Sequence, residues 1–70
     1  MNDMERKSQI EKFVDNYYYA YDFLRNENIA DLKRKALTSF LNTDLSLEEI
    51  NDEIAKSVED RYSKYLESYD

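Results

Sequence analysis

A chain of seventy residues without a single glycine or proline has few ways to turn sharply. Glycine supplies backbone conformations with φ > 0, and proline sets a rigid start for a turn. At ordinary usage about five of the first and three or four of the second would be present. Tight hairpins and glycine-rich ligand loops are therefore disfavoured, which leaves helices joined by short polar connections.

Cysteine, histidine and tryptophan are missing too. No disulfide can form, and a typical structural zinc site lacks its ligands. A single domain this small rarely reaches more than about 3–5 kcal/mol of net stability without such a staple, so close helix packing or self-association has to supply it. No apolar run approaches the roughly 20 residues of a membrane span, and the polar stretch from Met1 to Lys12 does not read as a signal peptide. The expectation is a cytoplasmic protein. Residues drawn from AT-rich codons (Phe, Tyr, Met, Ile, Asn, Lys) number 28, against 8 for Gly, Ala, Arg and Pro. That skew points to a low-GC bacterium, or to a phage or plasmid within one.

Apolar periodicity places three helices. Ile10, Phe13, Val14, Tyr17, Ala20, Tyr21 and Leu24 recur at helical offsets. Tyr17, Tyr19, Tyr21 and Phe23 also alternate as a strand would, but that run is shorter and has no partner, so a helix over about 4–25 is predicted. Ile29, Leu32, Ala36, Leu37 and Phe40 mark a second helix over about 29–41, with Asn28 as N-cap and Asp31 at the third position. Asn26 and Asn42 fall just past the first two helix ends, where asparagine can take the left-handed closing conformation in a chain without glycine. The third start is the sharpest: Ser46 and Glu49 form a capping box, with Leu45 and Ile50 as its hydrophobic staple. The stripe Leu47, Ile50, Ile54, Val58, Tyr62, Tyr65, Tyr69 then runs on, predicting a helix over about 46–68. Connections this short make neighbouring helices antiparallel. The fold expected is all-α, one small up-down-up three-helix bundle spanning 1–70.

Chemistry is scarce. Without His or Cys, proton transfer falls to Asp, Glu, Lys or Tyr with strongly shifted pKa values, which requires burial. Almost all sixteen acids lie off the apolar stripes. No catalytic residue, cofactor or small-molecule substrate is predicted. Asp44, Glu48, Glu49, Asp52 and Glu53 crowd the start of the third helix, but acids there complement the helix dipole and need no metal to explain them. Residues 1–41 carry seven acids and seven bases, whereas 42–70 carry nine acids and three bases. The acidic half suits a basic protein surface, or, as an inhibitor, mimicry of DNA. Nucleic-acid binding in the helix-turn-helix manner would use Arg25 and the run Lys33, Arg34, Lys35, but its reading helix would open with acids aimed at phosphates.

The seven tyrosines are the remaining signal. Tyr17, Tyr21, Tyr62, Tyr65 and Tyr69 sit on the core stripes, where rings bury their area and hydroxyls reach the bundle edge. Tyr19 and Phe23, four apart, are predicted to meet on the opposite side of the first helix, with Tyr18 on its flank. Aromatic residues enrich the cores of protein interfaces. The functional expectation is thus a non-enzymatic interaction or regulatory module that binds another protein, or a second copy of itself, through Tyr18, Tyr19 and Phe23, with the acidic third helix as a second surface.

Overall fold

The computed structural model describes residues 3–68. It contains α1 (Asp3–Ala20), a short 3-10 segment (Asp22–Asn26), α2 (Ile29–Phe40) and α3 (Leu47–Ser68), and no strand among the described residues. The helices form the up-down-up bundle that the apolar spacing predicts. α1 is its central member: it packs against both α2 and α3, which scarcely meet each other. The molecule is long and narrow, 44 × 18 × 18 Å.

The core is one cluster: Ile10 and Val14 of α1, Leu24 of the 3-10 segment, Ala36 of α2, and Ile50, Ile54 and Val58 of α3. Ile10, Leu24 and Ile50 are the fully buried large side chains. Half-buried Phe13, Tyr17, Tyr18, Phe23, Leu32 and Leu37 pack around them.

Helix starts follow local chemistry. Asn28 Oδ1 accepts from the Ala30 amide at 2.9 Å and the Asp31 amide at 3.3 Å. The capping box closes in both directions: the Ser46 amide donates to Glu49 Oε1 at 3.3 Å, and the Glu49 amide donates to Ser46 Oγ at 3.1 Å. Leu45 packs on the core cluster that holds its staple partner Ile50.

Helix ends depart from expectation. α1 does not run to about residue 25. It stops at Ala20, where Tyr21 turns extended at φ −118°, ψ 111°, and the chain tightens into the 3-10 turn. Tertiary packing overrides the continuous helical pattern here: the turn seats Leu24 in the core at 2 % exposure and lays Phe23 against it. Neither Asn26 nor Asn42 closes a helix in the left-handed conformation, since no described residue has a positive φ.

The end of α2 is held instead by Thr43, whose amide and hydroxyl donate to the Phe40 carbonyl at 3.3 and 2.8 Å, and by Arg6, reaching across from α1. Its Nε donates to the Leu41 carbonyl at 2.9 Å. Its Nη2 lies 2.8 Å from the carbonyls of Thr43 and Leu45, 3.1 Å from Thr43 Oγ1 and 3.2 Å from the Phe40 carbonyl. The last carbonyls of a helix have no partner within it. A planar guanidinium, with several donors in a fixed fork, adds to the Thr43 bonds at Phe40 and reaches the carbonyls just beyond the helix, without any residue at φ > 0.

Ion pairs tie the elements together. Lys33 of α2 meets Asp15 of α1 at 2.9 Å, and Arg61 of α3 meets Glu27, in the connection before α2, at 3.5 Å. No helix of the described residues is long and apolar enough to cross a membrane.

Candidate functional site: an aromatic face

The break at Tyr21 redistributes the rings. Tyr17 and Tyr21 stack at 6.3 Å between centroids, and Tyr21 meets Phe23 edge-on at 6.0 Å. Phe23 in turn lies 5.2 Å from Tyr62 and 5.6 Å from Tyr65, and these last two stack at 6.5 Å. All five contacts fall in the range favourable for aromatic pairs. Five rings from α1, the Tyr21 junction, the 3-10 segment and α3 thus form one continuous ladder. Its inner end, Tyr17, is half-buried, and its hydroxyl pairs with Asn51 Oδ1 at 3.3 Å. Its outer members stay in water: Tyr21, Tyr62 and Tyr65 are 42 %, 44 % and 36 % exposed.

The cause lies in helix lengths. α3 has 22 residues and α2 only 12, so the last part of α3 runs past its neighbours and every residue from Tyr62 to Ser68 is exposed. The core placement expected for Tyr21, Tyr62 and Tyr65 is therefore not observed. Tyr69 lies outside the described residues. The mismatch was legible in the predicted helix lengths, and it is the signal that could have placed these rings at a surface.

The predicted pairing of Tyr19 with Phe23 fails for the same structural reason. It required one unbroken helix, and α1 ends between them. Phe23 joins the ladder, while Tyr19, 65 % exposed, meets Tyr18 edge-on at 5.3 Å. Tyr18 is half-buried against the core. The three residues singled out in sequence thus belong to two separate ring groups.

Charge is arranged unevenly around the ladder. Seven apart on α3, Asp52 and Glu59 share a helical stripe that runs beside Tyr62 and Leu66. Neither forms an ion pair among the described residues, and both carboxylates act on Tyr17. Burial first, then the neighbouring Tyr21, Asp52 and Glu59, push the Tyr17 phenol above its ordinary value of 10.0. On the other side of the ladder an open notch of about 780 Å³ lies beside Phe23 and Tyr65, with Glu27, Asp60, Arg61 and Lys64 on its walls. Two acids face two bases there, so the notch is neutral overall.

Asp44, Glu48, Glu49, Asp52 and Glu53 are all exposed. Glu49 serves the capping box and Glu53 pairs with Lys56 at 3.3 Å. Among the described residues no three such groups converge as a metal ion would require. The basic run is engaged internally: Lys33 with Asp15, and Arg34 and Lys35 with Asp31. Arg25 pairs with Asp22 at 3.8 Å and donates to the Tyr19 carbonyl. A recess of about 130 Å³ between α2 and α3, floored by Val14, Leu24, Ile54 and Val58, holds one side chain at most. Small-molecule sites span about 300–1,000 Å³, a range this recess falls below and the open notch beside Phe23 and Tyr65 falls within.

Two groups predict an alkaline limit to stability. Asp15 beside Lys33 raises its ammonium above the usual 10.5, chiefly by the hydrogen bond between them, and Tyr17 is raised as described. Each holds its proton more tightly folded than unfolded. Their contribution is therefore complete below about pH 10 and is lost as pH rises through the folded values. Urea unfolding across that range should show stability falling with pH, and Tyr17→Phe should reduce the fall.

No family model, curated protein or solved structure matches the chain.

Proposed function

We propose that this chain is a non-enzymatic protein-binding module that acts by covering a surface of a partner protein with its aromatic face. The observation that carries this reading is the ladder itself, five contiguous rings whose outer members Tyr21, Tyr62 and Tyr65 remain open to solvent at the end of a narrow bundle. Rigid aromatic area is what interface cores are enriched in, and ring stacking removes much of the entropy that docking would otherwise cost. Tyr18 and Tyr19 form a smaller secondary patch. The skew toward residues of AT-rich codons supports an origin in a low-GC bacterium or in a phage or plasmid within one, and a cytoplasmic setting is part of the proposal. Nucleic-acid binding has less support, because Arg25, Lys33, Arg34 and Lys35 each pair with an aspartate of the chain itself.

Affinity capture from a low-GC bacterial lysate tests the reading, with sedimentation equilibrium to register self-association. A specific partner should be retained by the wild-type chain and by Tyr19→Ala, and lost with Tyr62→Ala/Tyr65→Ala. Undiminished capture by that double variant would remove the aromatic face from the function.

A further inference from the structure

α2 and α3 both pack on α1 but scarcely meet each other, which leaves a valley between them. Its inner part is the recess of about 130 Å³ floored by Val14, Leu24, Ile54 and Val58. An apolar cavity of about 150 Å³ takes a benzene-sized group, so one leucine or phenylalanine side chain suits this one. Ser39 of α2 and Ser57 of α3, both exposed, line it, and neither is long enough to close it. Ser57 and Arg61 also line the open notch beside Phe23 and Tyr65. Recess and notch are therefore successive parts of one groove along α3, on whose face Val58, Arg61 and Tyr65 follow one another at helical spacing. From Val58 to Tyr65 the groove runs about 10 Å, at 1.5 Å per residue.

Such a groove suits a helix. The backbone groups of its walls are spent inside α2 and α3, so an extended segment would bury unpaired N–H and C=O groups, whereas a helix satisfies its own. The charge of the groove is also unlike that of the molecule. Two cations, Lys35 and Arg61, and no acid of the described residues line the recess. The notch adds Lys64 against Glu27 and Asp60, so cations outnumber acids along the groove in a chain of net charge −6. Lys35 meets Asp31 at 3.2 Å and Arg61 meets Glu27 at 3.5 Å. An ammonium has three donors and a guanidinium five, so both keep N–H groups for a further acid.

We infer that the valley receives an amphipathic helix of a partner protein, with one bulky apolar side chain in the recess, a second seven residues along it against Phe23 and Tyr65, and a carboxylate between them on Arg61. The assignment rests on the protein-binding reading and names the element that the partner presents. A second copy of this chain is the weaker occupant, because a net charge of −6 sets two such molecules against each other.

The test is an amide-resolved NMR titration of the full chain with short helical peptides of alanine and glutamine that carry two leucines seven apart and one glutamate midway. The peptide should shift Leu32, Ala36, Ser57 and Arg61 saturably. Replacing either leucine by alanine should weaken binding about tenfold, and replacing the glutamate by lysine about threefold. Ser39→Leu/Ser57→Leu fills the recess with a better helix former, so it should stay folded and lose about tenfold of the affinity. Equal binding of the leucine and alanine peptides, or undiminished binding to that double variant, would overturn the assignment. Shifts confined to Tyr21 and Tyr62 would overturn the groove while keeping the aromatic face. Absence of saturable shifts would also overturn the groove and leave capture by Tyr62→Ala/Tyr65→Ala to decide the aromatic face separately. Self-association in sedimentation equilibrium that Ser39→Leu/Ser57→Leu abolishes would overturn the foreign partner in favour of a second copy.

Discussion

Ile50→Ala should leave a large part of the population unfolded at room temperature. Ile50 is wholly buried in α3, one of three large side chains so enclosed among the described residues. Removing its outer carbons loses their transfer energy and leaves a cavity, which together cost about 2–5 kcal/mol for a buried isoleucine. That equals most of the roughly 3–5 kcal/mol that a core of this size supplies. The residue also follows the capping box and packs with the staple that orients the entry into α3, so the same change loosens the α2–α3 connection. Urea unfolding followed by circular dichroism measures the loss. Ile50→Val, which removes one methylene, should cost only about 0.5–1.5 kcal/mol and remain folded. A near-wild-type midpoint for Ile50→Ala would mean that the bundle repacks freely and that its core is not specific.

Arg6→Ala should be the most damaging change at a charged position, costing about 2–3 kcal/mol, the upper range for hydrogen bonds made by a charged group. One side chain serves the carbonyls of Phe40, Leu41, Thr43 and Leu45, on the far side of the sequence from its own helix. Its loss leaves the Leu41, Thr43 and Leu45 carbonyls without their side-chain donor, the Phe40 carbonyl with only the Thr43 amide and hydroxyl, and α1 without its bonds to the α2–α3 connection. Arg6→Lys keeps the charge without the fork and should recover less than half of the loss. Stability to urea is the readout, and hydrogen exchange at residues 41–46 locates the effect. If Arg6→Ala unfolds like the wild type, water satisfies those carbonyls equally well and the clamp is incidental.

These two residues also divide what could be read in advance. Ile50 announces itself, because it sits at the staple position and on an apolar period. Arg6 does not. Nothing local distinguishes it from Lys7 or Lys12 nearby, since its acceptors are backbone carbonyls more than thirty positions away, and a carbonyl carries no sequence signature. The same contrast holds at the candidate site. Phe23 stood out in the sequence as a ring off the core stripe, yet it packs on the core, whereas Tyr21, Tyr62 and Tyr65 read as core and are exposed, because periodicity reports which face a ring lies on and not whether a neighbour reaches that far along the helix.

The sequence by itself determined the helical class, the number of helices, the caps at Asn28 and Ser46, and the buried positions Ile10, Val14, Leu24, Ala36, Ile50, Ile54 and Val58, though it also placed Ala20 and Tyr21 on the core stripe, where both are exposed. These follow from propensity, from apolar period and from hydrogen bonds spanning three residues, all of them local. Tertiary structure alone decided where α1 ends, how Arg6 braces the end of α2, and how the rings join. Burying Leu24 and seating Phe23 against α3 required an extended residue at Tyr21. That choice depends on contacts between segments far apart in the chain, whose energy no local pattern records. It split Tyr19 from Phe23 and assembled the ladder on the part of α3 that outruns its neighbours.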